Sequence, residues 1–381
     1  MVASGVGFAV PGAVAVEAID ADDIDRGVAA HYGDPVREQR QLAAAAGVVD
    51  RSNRGVVAVP GEDRLTWLHS LTTQHLSALP PMTGTELLVL SPHGHVEHHA
   101  VALDDGTTTF LDVEPGTAGA LLEFLTRMRF LMRVEPADVT DAWAVLSVVG
   151  PASAEAVARL GVPALDPPVI APVPGPKFAS SAVAKAASAR YAVAAVPSGG
   201  YARRMPYGFD LLVPRATVST VVDSLGLPPA GLWAFEALRV AERRPRLGKE
   251  TDHRTLPAEV GWLAGAVHLD KGCYRGQETV ARVHNLGHPP RRLVFLHLDG
   301  SVDMLPKHGA PVTHDGDEVG FVGSAARHHE LGPIALALVK RTVPVDATLL
   351  ADGVAAAQEV IVPPDAGRNV KIDPALRRRI R

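Results

Sequence analysis

Between residues 162 and 176 the chain carries six prolines and almost no polar side chains. Proline lacks a backbone N–H and has a fixed φ, so this stretch is excluded from a helix interior and from a central strand. It reads as an exposed loop between two halves of a main domain. On both sides of it, strand patterns alternate with helix patterns. Gly55 to Pro60 is a short apolar strand ended by proline. Gly61-Glu62-Asp63 then opens a helix, with Leu65, Leu68, Leu71 or Thr72, Leu76 and Leu79 at spacings of three and four. Glu86 to Leu90 and Val96 to Leu103 are strands joined by Ser91-Pro92-His93-Gly94. Ala118 to Met132 is an amphipathic helix, with Leu121, Leu122, Leu125 and Met128 on one side. Trp143 to Val149 is a strand followed by a short helix, and the pattern returns at Phe209 to Val213 and Ala216 to Leu225. Asp34-Pro35 opens one further helix, and Leu232 to Glu242 is another, stopped by Pro245. Alternation of this kind implies α+β or α/β layers.

From Arg291 the pattern changes to short strand candidates punctuated by Asp299-Gly300, Asp315-Gly316 and Asp352-Gly353. Asp-Gly between apolar runs is a hairpin signal. Residues 291–364 therefore read as a small all-β domain, a barrel or sandwich. A chain of 381 residues is too long for one ordinary core and is expected to form two or three domains.

A net charge of −5 argues against a nucleic-acid partner. The basic end Arg377-Arg378-Arg379-Ile380-Arg381 reads as a solvated tail. The segment from Met1 to Val16 has no early Lys or Arg and makes a poor signal peptide. No apolar run is long enough for a membrane span. Cytoplasm is the default localisation.

One cysteine, Cys273, fits a reducing compartment and rules out a disulfide scaffold. It lies in Lys271-Gly272-Cys273-Tyr274-Arg275-Gly276-Gln277-Glu278, ahead of a helix-like segment. Two cations and a helix N-terminus would favour a thiolate. The alternative is a buried small hydrophobe. His93, His95, His98 and His99 cluster within seven residues, but no acidic or Cys partner has ligand spacing, so no metal site is expected. A Walker A loop, a dinucleotide fingerprint and a Gly-x-Ser-x-Gly elbow are all absent. The segment from Glu242 to Arg292 is dense in arginine and lysine, with Trp233, Phe235, Trp262 and Tyr274 nearby. Such a set suits a flat heteroaromatic ligand carrying carboxylates, or else a solvated surface over core aromatics.

Lys-Gly-Cys-Tyr-x-Gly-Gln-Glu over residues 271–278 resembles the signature of the YgfZ family of folate-binding proteins, relatives of the aminomethyltransferase (T-protein) of the glycine cleavage system. The flanks agree: Thr255-Leu256-Pro257-Ala258-Glu259 precedes it and Thr279-Val280-Ala281-Arg282 follows. Gly61 to His69 with Leu71 to Gln74 resembles that family's first folate-domain helix, and Leu90 to Gly94 its next hairpin. The similarity runs over residues 30–364. His31 to Pro35 and Ala281 to Gly287 resemble the actinobacterial branch.

The resemblance implies an α+β, three-lobed ring: a two-lobed folate-binding domain plus a C-terminal β-barrel. The expected limits are 1–161 and 162–290 for the lobes, with the motif in the second, then 291–364 for the barrel and 365–381 for the tail. It implies tetrahydrofolate or a derivative as cofactor, iron–sulfur client or assembly proteins as partners, and a role in maturing or repairing iron–sulfur proteins, including tRNA-modifying enzymes. Cys273 is the implied functional thiol. Lys271 and Arg275 would set its charge, Gly272 and Gly276 would allow tight turns, and Gln277 and Glu278 would order the loop. The expected folate contacts are Arg243, Arg244, Glu259, Trp262, Tyr274 and Arg282.

Three departures separate the chain from the transferases. Their acidic residue after the hairpin is met here by His98 and His99 in Gly94-His95-Val96-Glu97-His98-His99. An imidazole does not replace a carboxylate, which argues against aminomethyl transfer. Their Gly-x-x-Gly-Phe-Glu segment is here Pro206-Tyr207-Gly208-Phe209-Asp210, and the Ala-Gly-x-Pro common in the family is here Glu242-Arg243-Arg244-Pro245. The alternatives are a folate-dependent one-carbon transferase and a non-enzymatic scaffold.

Overall fold

The computed structural model describes residues 12–21, 23–169 and 189–369. Residues 170–176 of the proline-rich stretch and the basic tail lie outside these.

Among the described residues, eleven strands form one continuous sheet built from two half-sheets of like design. The first half runs from strand Gly55–Pro60 through helix Arg64–Leu71 into a meander of three strands, Thr83–Leu90, Val96–Asp104 and Thr108–Val113. Helix Ala118–Arg127 follows. The second half repeats the plan: strand Trp143–Val149, helix Ser153–Ala158, the meander Tyr191–Ala195, Tyr201–Met205 and Gly208–Pro214, then helix Val218–Leu225. In both halves the earlier strand lies beside the third strand of the meander. The halves meet where Tyr191 and Ala192 pair with Gly84 and Thr83.

The boundary expected at residue 161 is displaced. Strand Trp143–Val149 pairs residue by residue with Gly208–Pro214, and strand Gly47–Asp50 pairs with its other edge. The second unit therefore begins at Trp143, and the proline-rich stretch lies inside it rather than between the halves. Apolar faces explain the arrangement, since Leu146, Val148, Leu211, Val213 and Val221 share one core. A separate core gathers Val57, Leu68, Leu111, Leu121 and Leu125 in the first unit.

Helix boundaries follow local chemistry. Asp34 caps helix Pro35–Ala44 by accepting from the amides of Val36 and Arg37 at 3.1 and 2.9 Å. The helix expected to run on to Leu79 stops at Leu71. Leu76 and Leu79 are still buried in the core, but from the following loop. The helix expected to reach Met132 stops at Arg127, and Phe130 adopts φ 44° beyond it.

Six strands, Arg291–Leu298, Pro311–His314, Asp317–His328, Gly332–Lys340, Leu349–Ala351 and Val354–Val360, close into a barrel. Asp315-Gly316 and Asp352-Gly353 both have positive φ at each residue, as a type I′ hairpin turn requires. Helix Leu232–Ala241 packs against the long barrel strand, and Gln39 bonds across to Arg327 and His329. A shared core under the barrel takes Leu88, Leu90, Tyr274 and Val280 together with Phe295 and Leu336.

Candidate functional site

The two half-sheets, helix Leu232–Ala241 and the loop at 260–265 enclose a cavity of about 250 Å³. Its polar floor is a network of buried charges. Arg54, from the turn between two buried strands, pairs with Asp112 and with Glu114 at 3.0 Å. Arg203 bridges Asp112 at 2.8 Å and Asp210 at 3.0 Å, which joins the two half-sheets. Arg246 pairs with Glu114 at 2.6 Å, Asp25 at 2.7 Å and Glu236 at 3.1 Å. Arg239 holds Glu236 at 2.9 Å and reaches barrel residue Ser324 at 2.6 Å. Burial would raise the Asp210 carboxyl, but Arg51 and Arg203 hold it down at about 2.

One wall differs. His99 stacks on Trp262 with centroids 4.7 Å apart and planes 4° from parallel. Its Nε2 lies 3.2 Å from Glu86, and the Tyr191 hydroxyl donates to the same carboxylate. Burial opposes ionisation of Glu86, but the bonds from His99 and Tyr191 outweigh it and keep the carboxyl below its usual range. Every carboxylate lining the cavity thus already accepts at least two donors from the protein. Arg244 is the opposite case. Its guanidinium lies 4.4 Å from the Tyr207 ring and has no carboxylate at ion-pair distance among the described residues. Burial lowers its affinity for its proton. A second cavity of about 390 Å³ meets the first at Pro206, Tyr207, Phe235 and Arg244, and Arg204 also lines it.

The expected folate contacts divide. Arg243, Arg244 and Trp262 line the central cavity. Arg243 also pairs with Glu359 of the barrel and takes φ 59°. A left-handed non-glycine residue costs about 1–2 kcal/mol. Glu259 does not line the cavity. It is wholly buried and accepts from Leu256 and from the backbone and side chain of Arg291, which fastens the loop to the barrel. Arg282 is on an exposed helix face, paired with Glu278 at 3.1 Å. Tyr274 is buried in the shared core, with the Lys271 ammonium 5.0 Å from its ring.

Cys273 is exposed and is not among the cavity-lining residues. The two cations that flank it in sequence both have other partners. Lys271 is buried, and its Nζ donates to the backbone carbonyls of His69, Thr72 (2.5 Å) and Gln74 (3.0 Å). Burial pushes its pKa down to about 8. Arg275 pairs with Glu97 at 2.9 Å. Helix Gln277–Asn285 begins after Gly276, three residues beyond the thiol, so Cys273 sits outside its first turn. Gly276 has φ 80°, and a Cβ there would lie 2.5 Å from the Ser91 carbonyl oxygen. Close approach of the Ser91–His95 hairpin accounts for that glycine. Gly272 has open space around it and an ordinary φ. Gln277 ties the loop by donating to the Lys271 carbonyl at 3.2 Å, and Glu278 is exposed.

His98 and His99 point to opposite faces, as strand alternation requires. His98 sits beside Phe124, and burial together with Arg275 lowers its pKa to about 4. The four clustered histidines therefore do not converge. Among the described residues no group of three His, Cys, Asp or Glu side chains is placed to hold a metal ion.

Arg51, Arg54, Glu86, Tyr191 and Asp210 were not singled out as site residues by the sequence. A signal existed for two of them. Asp50-Arg51-Ser52-Asn53-Arg54 is a charged turn between two strands buried on both faces, and such a turn must either face solvent or line a cavity.

Comparison with known proteins agrees with this architecture. Residues 30–271 match the GCVT N-terminal domain, and residues 291–377 match the glycine cleavage T-protein C-terminal barrel domain. A putative chloroplastic transferase of Arabidopsis thaliana is 28% identical over 73% of this chain and 61% of its own length, so the match spans less than two thirds of that relative. An aminomethyltransferase of Nostoc is 27% identical over 80% of this chain and 79% of its own. The aminomethyltransferase T of the Bartonella henselae glycine cleavage system superposes with a TM-score of 0.69 at 17% identity, covering 88% of this chain and 91% of that one, which shows a shared fold. With the first domain model alone spanning more than half of its length, this chain belongs to the GCVT family, as an N-terminal GCVT domain followed by the T-protein barrel domain.

Proposed function

We propose that the chain binds tetrahydrofolate or a derivative in the central cavity, and supports iron–sulfur protein maturation or repair through the exposed thiol of Cys273. The observation that carries the first part is the pairing of a stacked His99–Trp262 wall with an arginine that has no carboxylate partner. A flat fused ring suits the wall. A carboxylate-bearing tail suits Arg244 and, through the adjoining cavity, Arg204. Calorimetry with tetrahydrofolate is expected to give saturable one-site binding, and a flat titration would favour a scaffold role instead.

The relatives named aminomethyltransferase favour a second reading, one-carbon transfer. Against it stand the cavity carboxylates, each already held by arginines or by His99 and Tyr191. No methylene-tetrahydrofolate is expected to form from a methylamine donor, and robust turnover would reverse the ranking. Exposure of the thiol outside the cavity lining favours a protein partner over the cavity ligand. In a deletion strain, Cys273→Ser is expected to leave iron–sulfur enzyme activity unrestored while tetrahydrofolate binding stays at the wild-type level. Full restoration would remove Cys273 from the proposal.

A further inference from the structure

Beyond the last barrel strand the chain crosses back to the helix that follows the cysteine motif. Val362 is buried in the core that also holds Tyr274 and Val280. The next contacts run along helix Gln277–Asn285, from beyond its last turn towards its first. Nδ1 of His288 donates to the Ala366 carbonyl at 2.9 Å. Gly367 takes φ 89°, and a Cβ there would lie 2.4 Å from the Gly287 carbonyl oxygen and 2.6 Å from that of Val283. Asn369 donates from its backbone and side-chain amides to the His284 carbonyl at 3.1 and 2.8 Å. Residues 366 to 369 thus meet 288, 287 and then 284, and the segment heads towards the motif. Burial lowers the pKa of His284 and the Asp270 carboxylate opposes that, so the loop bearing the thiol lies near the same point. Asp270 is exposed and has no cation at ion-pair distance among the described residues.

Residues 370–381 carry Lys371, Arg377, Arg378, Arg379 and Arg381 against one acid, Asp373. Arg377 comes eight residues after Asn369, a reach of about 27 Å when extended and about 15 Å as a flexible chain. His284 is about 10 Å along the helix from Gln277, and the four residues back to Cys273 add at most about 14 Å. The arginines therefore reach the thiol, whose neighbours in sequence are engaged by backbone carbonyls and by Glu97. Resting on the reading of Cys273 as the functional thiol, we propose that this C-terminal arm lies beside the Cys273 loop, with Asp270 as its local anchor, and gives the thiol a cationic collar that takes an acidic protein surface. A protein partner fits better than a nucleic acid, because the chain as a whole carries −5 and the collar is a local concentration of positive charge.

The test compares two disulfide reagents on the full chain, in which Cys273 is the one thiol. The thiolate attacks a reagent sulfur, the S–S bond breaks, a mixed disulfide forms and an aromatic thiolate leaves. A dithiobis(nitrobenzoate) is a dianion and a dithiodipyridine is uncharged, so the ratio of their rates cancels the thiolate content. At about 0.01 M ionic strength, removing residues 370–381 is expected to lower that ratio about tenfold, and at about 1 M to leave it unchanged. Arg377→Gln, Arg378→Gln, Arg379→Gln and Arg381→Gln together are expected to do the same with the arm at full length. Gly367→Val, which cannot keep its segment on the helix, is expected to lower the ratio with the charges intact. A ratio that survives removal of the arm, or that falls equally at both ionic strengths, would overturn the proposal. With the uncharged reagent, poly-L-glutamate is expected to slow the wild-type reaction and not that of the chain without its arm. A single-stranded RNA that protects the thiol at lower charge concentration than poly-L-glutamate would overturn the partner class. The underlying reading fails separately: Cys273→Ser that restores iron–sulfur enzyme activity removes the thiol's function but leaves the arm's effect on the reagents standing.

Discussion

Replacing Arg246 with methionine is expected to destabilise the protein by about 3–5 kcal/mol at neutral pH, the usual penalty for removing one member of a buried ionic network. Arg246 is 7% exposed and is the common partner of Asp25, Glu114 and Glu236. Methionine fills much of the same volume, so lost packing contributes little. The loss is dominated by three buried carboxylates deprived of a cation. Acid adds a second signature. Burial alone would raise Glu114 and Glu236, but Arg246, with Arg54 beside Glu114 and Arg239 beside Glu236, reverses the sign. Glu236 is held at about 2 and Glu114 well below the ordinary carboxylate range. A depressed carboxyl contributes stability that is complete above its unfolded value, about 4.3. That stability is lost as pH falls toward the folded value. Denaturant midpoints measured from pH 7 down to pH 3 should therefore fall steeply for wild type below about pH 4.5. The Arg246→Met protein should start lower and fall less. A variant within about 1 kcal/mol of wild type at pH 7, with an unchanged acid slope, would show that this network does not hold the cavity together.

The same network marks where sequence reading stopped. Periodicity located several elements: Gly55–Pro60, Trp143–Val149 and the barrel strands Arg291–Leu298, Pro311–His314 and Gly332–Lys340 fall where apolar runs place them, whereas the last barrel strand is Val354–Val360 rather than 360–362. These signals are local, and so are the forces behind them. The lobe boundary was misplaced because it depends on which strand Trp143–Val149 joins, and its partner Gly208–Pro214 lies far along the chain. The prolines were read as a loop between the two halves, but proline marks a break in regular structure and not which elements lie on either side of it. Leu76 and Leu79 kept helical spacing beyond the true helix end because burial from a loop leaves the same apolar imprint. In the site, strand alternation separated His98 from His99, yet which of them faces the cavity depends on the curvature of a sheet made by both halves. Arg246 and Asp25, 221 residues apart, carry no joint signal in a single sequence. The cysteine motif was legible as a motif. Its expected charge environment was not, because nearness in sequence put Lys271 beside Cys273 while the fold turned its ammonium to the opposite task.

That task supplies the second large effect. Lys271→Met is expected to cost about 3 kcal/mol, because hydrogen bonds to a charged donor are worth about 1.5–3 kcal/mol and buried carbonyls left unpaired add to the loss. Helix Arg64–Leu71 leaves orphan carbonyls at its C-terminal end, as every helix does. Lys271 answers with a cation where the helix dipole is negative, donating to the His69 carbonyl and to those of Thr72 and Gln74 beyond it. One tetrahedral ammonium thus ends a helix of the first unit and anchors the loop that carries Cys273. Arginine should not substitute, since a planar fork cannot aim three donors at three carbonyls around one point. Lys271→Arg is therefore expected to recover less than half of the lost stability in chemical denaturation. Hydrogen exchange should separate this anchoring from a general loss of stability. Below the unfolding transition, Lys271→Met should speed exchange over residues 271–276 and 69–76, and leave the barrel strands at wild-type rates. If the loop then fails to support iron–sulfur enzyme activity while Cys273 is intact and the chain is folded, the lysine of the motif is there to place the thiol rather than to charge it. Uniformly faster exchange across all three parts of the molecule, or no change at 271–276, would leave Lys271 without that role.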